Sequence, residues 1–271
     1  MTTSPVRIVL AGVSGWVGKA LVSAIHAAPD LLLVAAVSRN AAGKDAGDVA
    51  GIGPIGVIVH ATIAEALAAP SDVVIDYTKP DAVKHHALTA LARGRHVVIG
   101  TSGLTAADYD KINVAAQSAG KGVLAAGNFS ITATLLRRFA LEAAKYVPDV
   151  EVIDYASAKK PDTPSGTGRE LGELLAQVRL QGTSKPVDEL GGARETRGAA
   201  LGEPIPVQVH SVRMPSFVLS CEAIFGAPDE RLVIRHDAGS SAAPYVAGTL
   251  LAARRVSGLV GVRRGLDHVL T

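Results

Sequence analysis

Residues 6–18 read VRIVLAGVSGWVG. A short β-rich run, VRIVLA, stops at Gly12, and glycines then recur three apart at Gly12, Gly15 and Gly18. Val17, Leu21, Val22 and Ile25 continue with the period of an amphipathic helix. Strand, glycine turn and helix form the opening of a dinucleotide-binding unit. In such a unit phosphates approach backbone N–H groups at a helix N-terminus, where a Cβ would obstruct them. The plain alternative is a glycine-rich turn with no ligand. The position between a strand and an amphipathic helix favours the nucleotide. Ser14, Trp16 and Val17 complete the turn as candidate cofactor contacts.

The next strand is LLLVAAV, residues 31–37. A carboxylate for a ribose 2′-hydroxyl belongs at the end of this strand. The chain instead has Ser38 and Arg39, a hydroxyl and a guanidinium suited to a 2′-phosphate. That combination favours NADPH over NADH; the plain alternative makes Arg39 a solvated loop charge. The alternation continues with strands at 72–77 and 96–100, helices over 81–93 and 105–119, and GVLAAGNFS at 122–130. Residues 40–56 read as a loop. Strands alternating with helices predict an α/β fold with a Rossmann-type parallel sheet, whose ligands lie beyond the carboxyl ends of the strands. The tips Tyr77-Thr78-Lys79, Gly100-Thr101-Ser102 and Ala126-Gly127-Asn128-Phe129 are therefore candidate cofactor contacts.

After about residue 130 the pattern changes. A helix over 131–145 leads into the strand-like EVIDYAS, then into KKPDTPSGTG (159–168) and a helix from Ser165 to about Val178. Residues 181–204 read as a long loop. Three strand-like runs follow, with a turn at Pro228-Asp229-Glu230, and residues 243–256 form an apolar helix. Strands after βα units predict a smaller α+β substrate domain with an open mixed sheet. The expected division is 1–129 for the dinucleotide, 130–242 for substrate binding and oligomerisation, and 243–271 packing back on the first domain.

Composition narrows the function. Formal net charge is +2 over 271 residues, too even for a nucleic-acid partner. Cys221 is the only cysteine, so no intramolecular disulfide forms, and no metal site is expected. No uncharged apolar run approaches the roughly 18 residues of a membrane helix, and the N-terminus is not a signal peptide. A cytoplasmic globular protein with no membrane partner is expected.

Six stretches carry a family resemblance: GVSGWVG (12–18), IGTSGL (99–104), GNFSITATLL (127–136), KKPDTPSGTG (159–168), PVQVHSVRMPSFVLSCEAIFG (206–226) and ERLVIRHDAGS (230–240). In these, and in their order along nearly the whole chain, the sequence resembles the 4-hydroxy-tetrahydrodipicolinate (dihydrodipicolinate) reductases of diaminopimelate and lysine biosynthesis. The resemblance implies a homotetramer transferring hydride from NADPH or NADH to a small cyclic dicarboxylate. The nicotinamide would lie across the 100–102 and 127–129 tips with C4 facing the 165–167 segment.

Around Lys160 the chemistry is arguable from the residues alone. Ser165 and Gly166 leave backbone N–H groups open at a helix start, hydroxyls of Ser165 and Thr167 add donors, and Lys160 supplies positive charge. Ser102 is a further candidate substrate contact. The plain alternative makes Ser165 a helix N-cap and Lys160 a solvated cation. The family carries a His-His pair four and three residues before this lysine, the first histidine being taken as proton donor. Those positions are Ala156 and Ser157 here, and none of the eight histidines lies between residues 97 and 209. The family's positive position after R-H-D falls within Gly239–Ala242, which holds no cation. Three accounts fit. Lys160 protonates the substrate itself; Tyr155 or Lys159 has taken over; or the substrate is a related cyclic imine or oxo acid. A non-catalytic NADPH-binding sensor is the reading from another class.

Overall fold

Val6–Ala11 (β1) forms the centre of a seven-stranded sheet because both of its faces are apolar. Ile8 and Leu10 point into one core, Val9 and Ala11 into the other. The computed structural model describes residues 4–179 and 198–270, and it divides into two compact units. One runs to Ile131 and resumes at Ala242; the other is Thr132–Ser241.

In the first unit β1 is joined by β2 (Leu31–Val37), β3 (Val59–His60), β4 (Val73–Asp76), β5 (His96–Ile99), β6 (Gly122–Ala125) and β12 (Gly261–Arg264). The order is β12-β6-β5-β4-β1-β2-β3, with every pairing parallel. Helices α1 (Trp16–Ala27) and α8 (Ala243–Arg255) cover one face; α3 (Ile63–Ala66), α4 (Pro80–Ala92) and α5 (Ala106–Ser118) cover the other. The parallel α/β reading therefore holds.

Several local expectations need correction. Residues 40–56 are not all loop: α2 (Ala46–Ala50) lies within them. Its N-cap Asp45 accepts N–H bonds from Gly47, Ile55, Gly56 and Val57, so one carboxylate organises two passes of chain. Five residues are too few for a period to show. The same brevity hid β3 and α3. β12, the sheet edge beside β6, was hidden by its two arginines. Most of the loop expected over 181–204 lies outside the described residues; Ala199–Leu201 (β8) is a short edge strand.

The second unit is a mixed sheet, β11-β10-β7-β9-β8, with two helices on one side. Its strands are β7 (Val150–Ser157), β8, β9 (Val207–Met214), β10 (Leu219–Ala227) and β11 (Glu230–Ala238). Only β7 and β9 pair in parallel. β7 alternates strictly, with Val150, Val152, Asp154 and Ala156 buried and the residues between them half-exposed. Val150 and Val152 pack with Leu136 and Ala140 of α6 (Ile131–Ala143) and Leu171 and Leu175 of α7 (Gly166–Val178). Asp229 takes φ 61° in the β10–β11 turn, a left-handed position that aspartate tolerates better than most residues.

Candidate active site

In the first unit the candidate cofactor residues all fall at the carboxyl ends of β1, β2, β4, β5 and β6, which are neighbours in the sheet. The three glycines divide their labour. Gly12, at φ +92°, packs against the Tyr77 carbonyl, and Gly18 packs against the Gly12 carbonyl; a side chain at either would collide. Gly15 is the exposed N-cap of α1. No side chain caps α1, and no acidic residue stands in its first turn. The N–H groups of Trp16 and Val17 are thus left for an anion, which fits a dinucleotide phosphate. Ser14 Oγ lies 2.8 Å from Ser38 Oγ and ties the glycine turn to the end of β2. Arg39 is exposed on the following 3-10 turn.

A buried carboxylate fixes the next two tips. Asp76 accepts from Thr78 N (2.9 Å), Thr78 Oγ1 (2.6 Å) and Thr101 Oγ1 (2.8 Å), and its second oxygen lies 2.7 Å from His86 Nδ1. Thr101 is consequently turned inward. Tyr77 lies under Gly100, where no Cβ would fit. Its O–H donates to Thr249 Oγ1 at 2.7 Å, because Thr249 itself donates to the Tyr245 carbonyl. Burial pushes the Tyr77 phenol well above its ordinary range. Phe129 is a core residue, 1% exposed, packed beside Tyr77, and Asn128 caps Ser130 N at 2.8 Å. The side chains of Tyr77, Thr101 and Phe129 therefore build the crevice rather than face it. Lys79, Ser102 and Gly127 are exposed, and Ala126 is half-exposed.

In the second unit the segment around Lys160 is organised by Asp154 and Arg213, which sequence reasoning passed over. Asp154 is fully buried on β7. It accepts from Ser165 N (2.7 Å), Ser165 Oγ (2.5 Å) and Arg213 NH2 (2.7 Å). Arg213 also donates to the carbonyls of Asp154 and Asp162, at 3.2 and 2.7 Å. One ion pair thus joins β7, β9 and two points of the 159–168 segment, Asp162 and Ser165. Gly168 lies so close to Asp154 that a Cβ would press on its carboxylate.

This arrangement alters the expectation for Ser165. Its hydroxyl is 1% exposed, donates to Asp154 and accepts from Gly168 N at 3.3 Å. It is the helix N-cap and structural anchor, so it has no donor left for a ligand. Gly166 is exposed with open space around it, Thr167 is half-exposed, and no acidic residue occupies the first turn of α7. Their N–H groups and the Thr167 hydroxyl can hold a carboxylate. Lys160 Nζ pairs with Asp162 at 3.0 Å, and that ammonium holds the Asp162 carboxyl below the usual range.

The positions without histidine are clear. Ala156 is fully buried, in register with Leu219 and Arg213. Ser157 Oγ accepts from Lys159 N at 3.3 Å. Tyr155 is on the opposite face, donating to Glu222 at 3.1 Å beneath Arg235, and burial raises its phenol further. It is removed as a substitute acid. Lys159 is exposed.

Comparison with known proteins settles the lineage. The family description "Dihydrodipicolinate reductase, N-terminus" matches residues 6–129, and "Dihydrodipicolinate reductase, C-terminus" matches residues 132–270. The chain belongs to the dihydrodipicolinate reductase family. It is an NAD(P)H-dependent oxidoreductase with a Rossmann-type nucleotide-binding domain. A 4-hydroxy-tetrahydrodipicolinate reductase from Thermosynechococcus vestitus is 34% identical over 99% of this chain and 98% of that protein. One from Trichormus variabilis is 36% identical over 98% of this chain and 99% of that protein. A solved "Dipicolinate bound Dihydrodipicolinate reductase" from Paenisporosarcina sp. TG-14 superposes with TM-score 0.84 at 27% identity. The match covers 98% of this chain and all of that one.

Proposed function

We propose that this reductase acts on 4-hydroxy-tetrahydrodipicolinate, the substrate named by its relatives, with NADPH preferred over NADH. The observation that carries the reading is the start of α7, where Gly166 is exposed and Thr167 half-exposed beyond the N-cap Ser165, held by Asp154 and Arg213 and flanked by Lys160. It is built to hold a carboxylate, and the solved relative is named for its complex with a pyridine dicarboxylate, dipicolinate. When bound, the reduced nicotinamide supplies the hydride. The N–H groups of Gly166 and Thr167 orient the substrate carboxylate, and Lys160 balances its charge. With Ala156 unable to transfer a proton and Tyr155 on the opposite face, we take Lys160 as the acid at the 160–167 segment, with the exposed Lys159 as the alternative. The NADPH preference rests on Ser38 and Arg39 and on the absence of a carboxylate at the end of β2.

The test is NADPH oxidation with substrate made in situ from pyruvate and aspartate semialdehyde. Saturable turnover is expected. No turnover, with tight NADPH binding in the same sample, would refute it and support a second reading. In that reading the same cradle serves a related cyclic imine or oxo acid, an idea that rests on Ala156 and the uncharged 239–242 segment.

A homotetramer also belongs to this proposal. Met214 and Val233, on the sheet face away from the α6–α7 core, are 53% and 50% exposed, apolar surface suited to burial between copies. Light scattering giving four chains supports it; a monomer overturns it. No helix among the described residues is long and apolar enough to cross a membrane, and we place the protein in the cytoplasm.

A further inference from the structure

The amino ends of β1, β4, β5 and β6 lie at the edge of the parallel sheet opposite the glycine turn. A cavity of about 780 Å³ opens there. Arg7, Asp72, Arg95, His96, Lys121 and Ser71 contribute its polar lining, and Val6 and Leu32 part of its apolar wall. None of these residues takes part in the functions described above.

The polar groups are unbalanced in two ways. Charge is the first: three cations, Arg7, Arg95 and Lys121, face one anion, Asp72, leaving +2 with His96 neutral. Burial and the nearby Lys121 lower the affinity of His96 for a proton. Its Nδ1 accepts from Gly122 N at 3.0 Å, so its proton sits on Nε2 as another donor. Hydrogen bonding is the second. Asp72 is already taken, accepting from Arg7 N (2.9 Å), Nε (3.0 Å) and NH2 (2.7 Å). Ser71 is fully buried and its Oγ has no partner; Arg95 Nε is buried and likewise has none. A buried donor left unpaired is unfavourable, and an accepting ligand would relieve it.

The local fold explains only part of this. Arg95 and Lys121 follow the C-terminal ends of α4 and α5, where helix dipoles favour cations. Neither side chain has a hydrogen bond or close ion pair among the described residues, although Arg95 lies near enough to Asp72 to help hold its carboxyl below the usual range. The Lys121 Cε instead lies over Gly94, 3.9 Å from where a Cβ would stand. Donors of four kinds line one cavity: guanidinium, ammonium, imidazole N–H and hydroxyl. Their complement is a group that only accepts and carries about two negative charges. A carboxylate neutralises one charge, whereas a phosphate monoester carries about −1.5 to −2 at neutral pH. The volume exceeds that of a bare phosphate and falls within the range of small-molecule sites.

We propose that the cavity at the amino ends of β1, β4, β5 and β6 is a second ligand site, recognising a small phosphorylated metabolite through Arg95, Lys121, Ser71 and His96. It is separate from the nucleotide turn, at the other end of the strands.

Inorganic phosphate is the probe, titrated calorimetrically into protein saturated with NADPH, which occupies the phosphate positions of the glycine turn. The buffer is free of phosphate and sulfate. One saturable site is expected, weakened at least roughly tenfold in both Arg95→Gln and Lys121→Gln and unchanged in Arg39→Ala. NADPH affinity measured on Arg95→Gln and Lys121→Gln reports their folding, and the melting temperature reports that of Arg39→Ala. If Arg95→Gln does not fold, Lys121→Gln, at a half-buried position, carries the test. No saturation by tens of millimolar phosphate overturns the proposal. So does binding lost in Arg39→Ala but retained in Arg95→Gln and Lys121→Gln.

Discussion

Replacing Asp154 by asparagine should cost stability and substrate affinity together, while sparing the cofactor. The carboxylate accepts three hydrogen bonds within 2.7 Å, two from Ser165 and one from the Arg213 guanidinium. An amide keeps the shape. Its oxygen can still accept from Ser165 N and Arg213, and the Ser165 hydroxyl can rotate to accept from its NH2. What is lost is the charge opposite a guanidinium only 14% exposed. Breaking a buried ion pair typically costs 3–5 kcal/mol. Because the hydrogen bonds partly survive, the low end applies, about 3 kcal/mol. That corresponds to a fall in melting temperature of roughly 10 °C. Ser165 would sit more loosely, and the start of α7 with it, so KM should rise roughly tenfold, about the worth of one hydrogen bond. Calorimetry, steady-state kinetics and NADPH fluorescence titration read the three quantities. Arg213→Met, which strands the carboxylate instead, should show the same pattern. The double variant should cost less than the sum, because the two residues act as one pair. A stability change below about 1 kcal/mol, or an unchanged KM, would show that this pair does not hold the cradle.

Three further outcomes follow from the structure. Arg39→Ala should weaken NADPH binding roughly tenfold and leave NADH nearly unaffected, by loss of a charge-assisted bond to the 2′-phosphate; equal affinities in the parent protein would refute the assignment. Lys160→Ala should lower turnover by roughly 10²–10⁴-fold with NADPH affinity intact, and retained turnover would remove Lys160 from the chemistry. His236 sits 7% exposed with Nδ1 3.1 Å from Thr132 Oγ1, and burial lowers its pKa below the ordinary 6.5. Below pH 6.5 the unfolded chain therefore binds more protons than the folded one, so stability should fall as pH drops through that region. His236→Gln should flatten this slope in urea titrations at pH 5 and 7, and an unchanged slope would exclude His236 as its source.

What the sequence disclosed and what it concealed follow one physical rule. Elements with several periods of pattern, such as β1, α1, β7 and α7, were legible because each repeats its burial signature. α2, β3, α3 and β12 span only two to five residues each and are held by partners distant in sequence, as Asp45 holds 55–57. The glycine turn and the 159–168 segment were legible as places, because their residue types are rare outside such turns. The roles of individual side chains were less legible. Ser165, Thr101 and Phe129 fall within candidate motifs, yet their side chains serve the scaffold. Asp154 and Asp76 did leave a signal. Each stands on a buried strand face among valines and isoleucine, where a carboxylate is tolerated only with partners. Asking where those partners lie would have pointed to the loops that each one holds.

The absence of histidine at 156 and 157 leaves the proposed cradle intact, because none of its anchors stands at those positions. Its anchors are Asp154, two residues earlier on the same buried face, and Arg213, which stands beside Ala156 in the next strand and reaches Asp154 and the Asp162 carbonyl. Ala156 contributes packing volume, and Ser157 holds the Lys159 turn. Anion binding and proton supply are thus physically separable in this unit. In the proposed reading, binding rests on a buried ion pair and on backbone N–H groups. Proton supply rests on whichever group near the substrate titrates. A chain that keeps the first and changes the second would retain the proposed carboxylate cradle while drawing its proton from a different group.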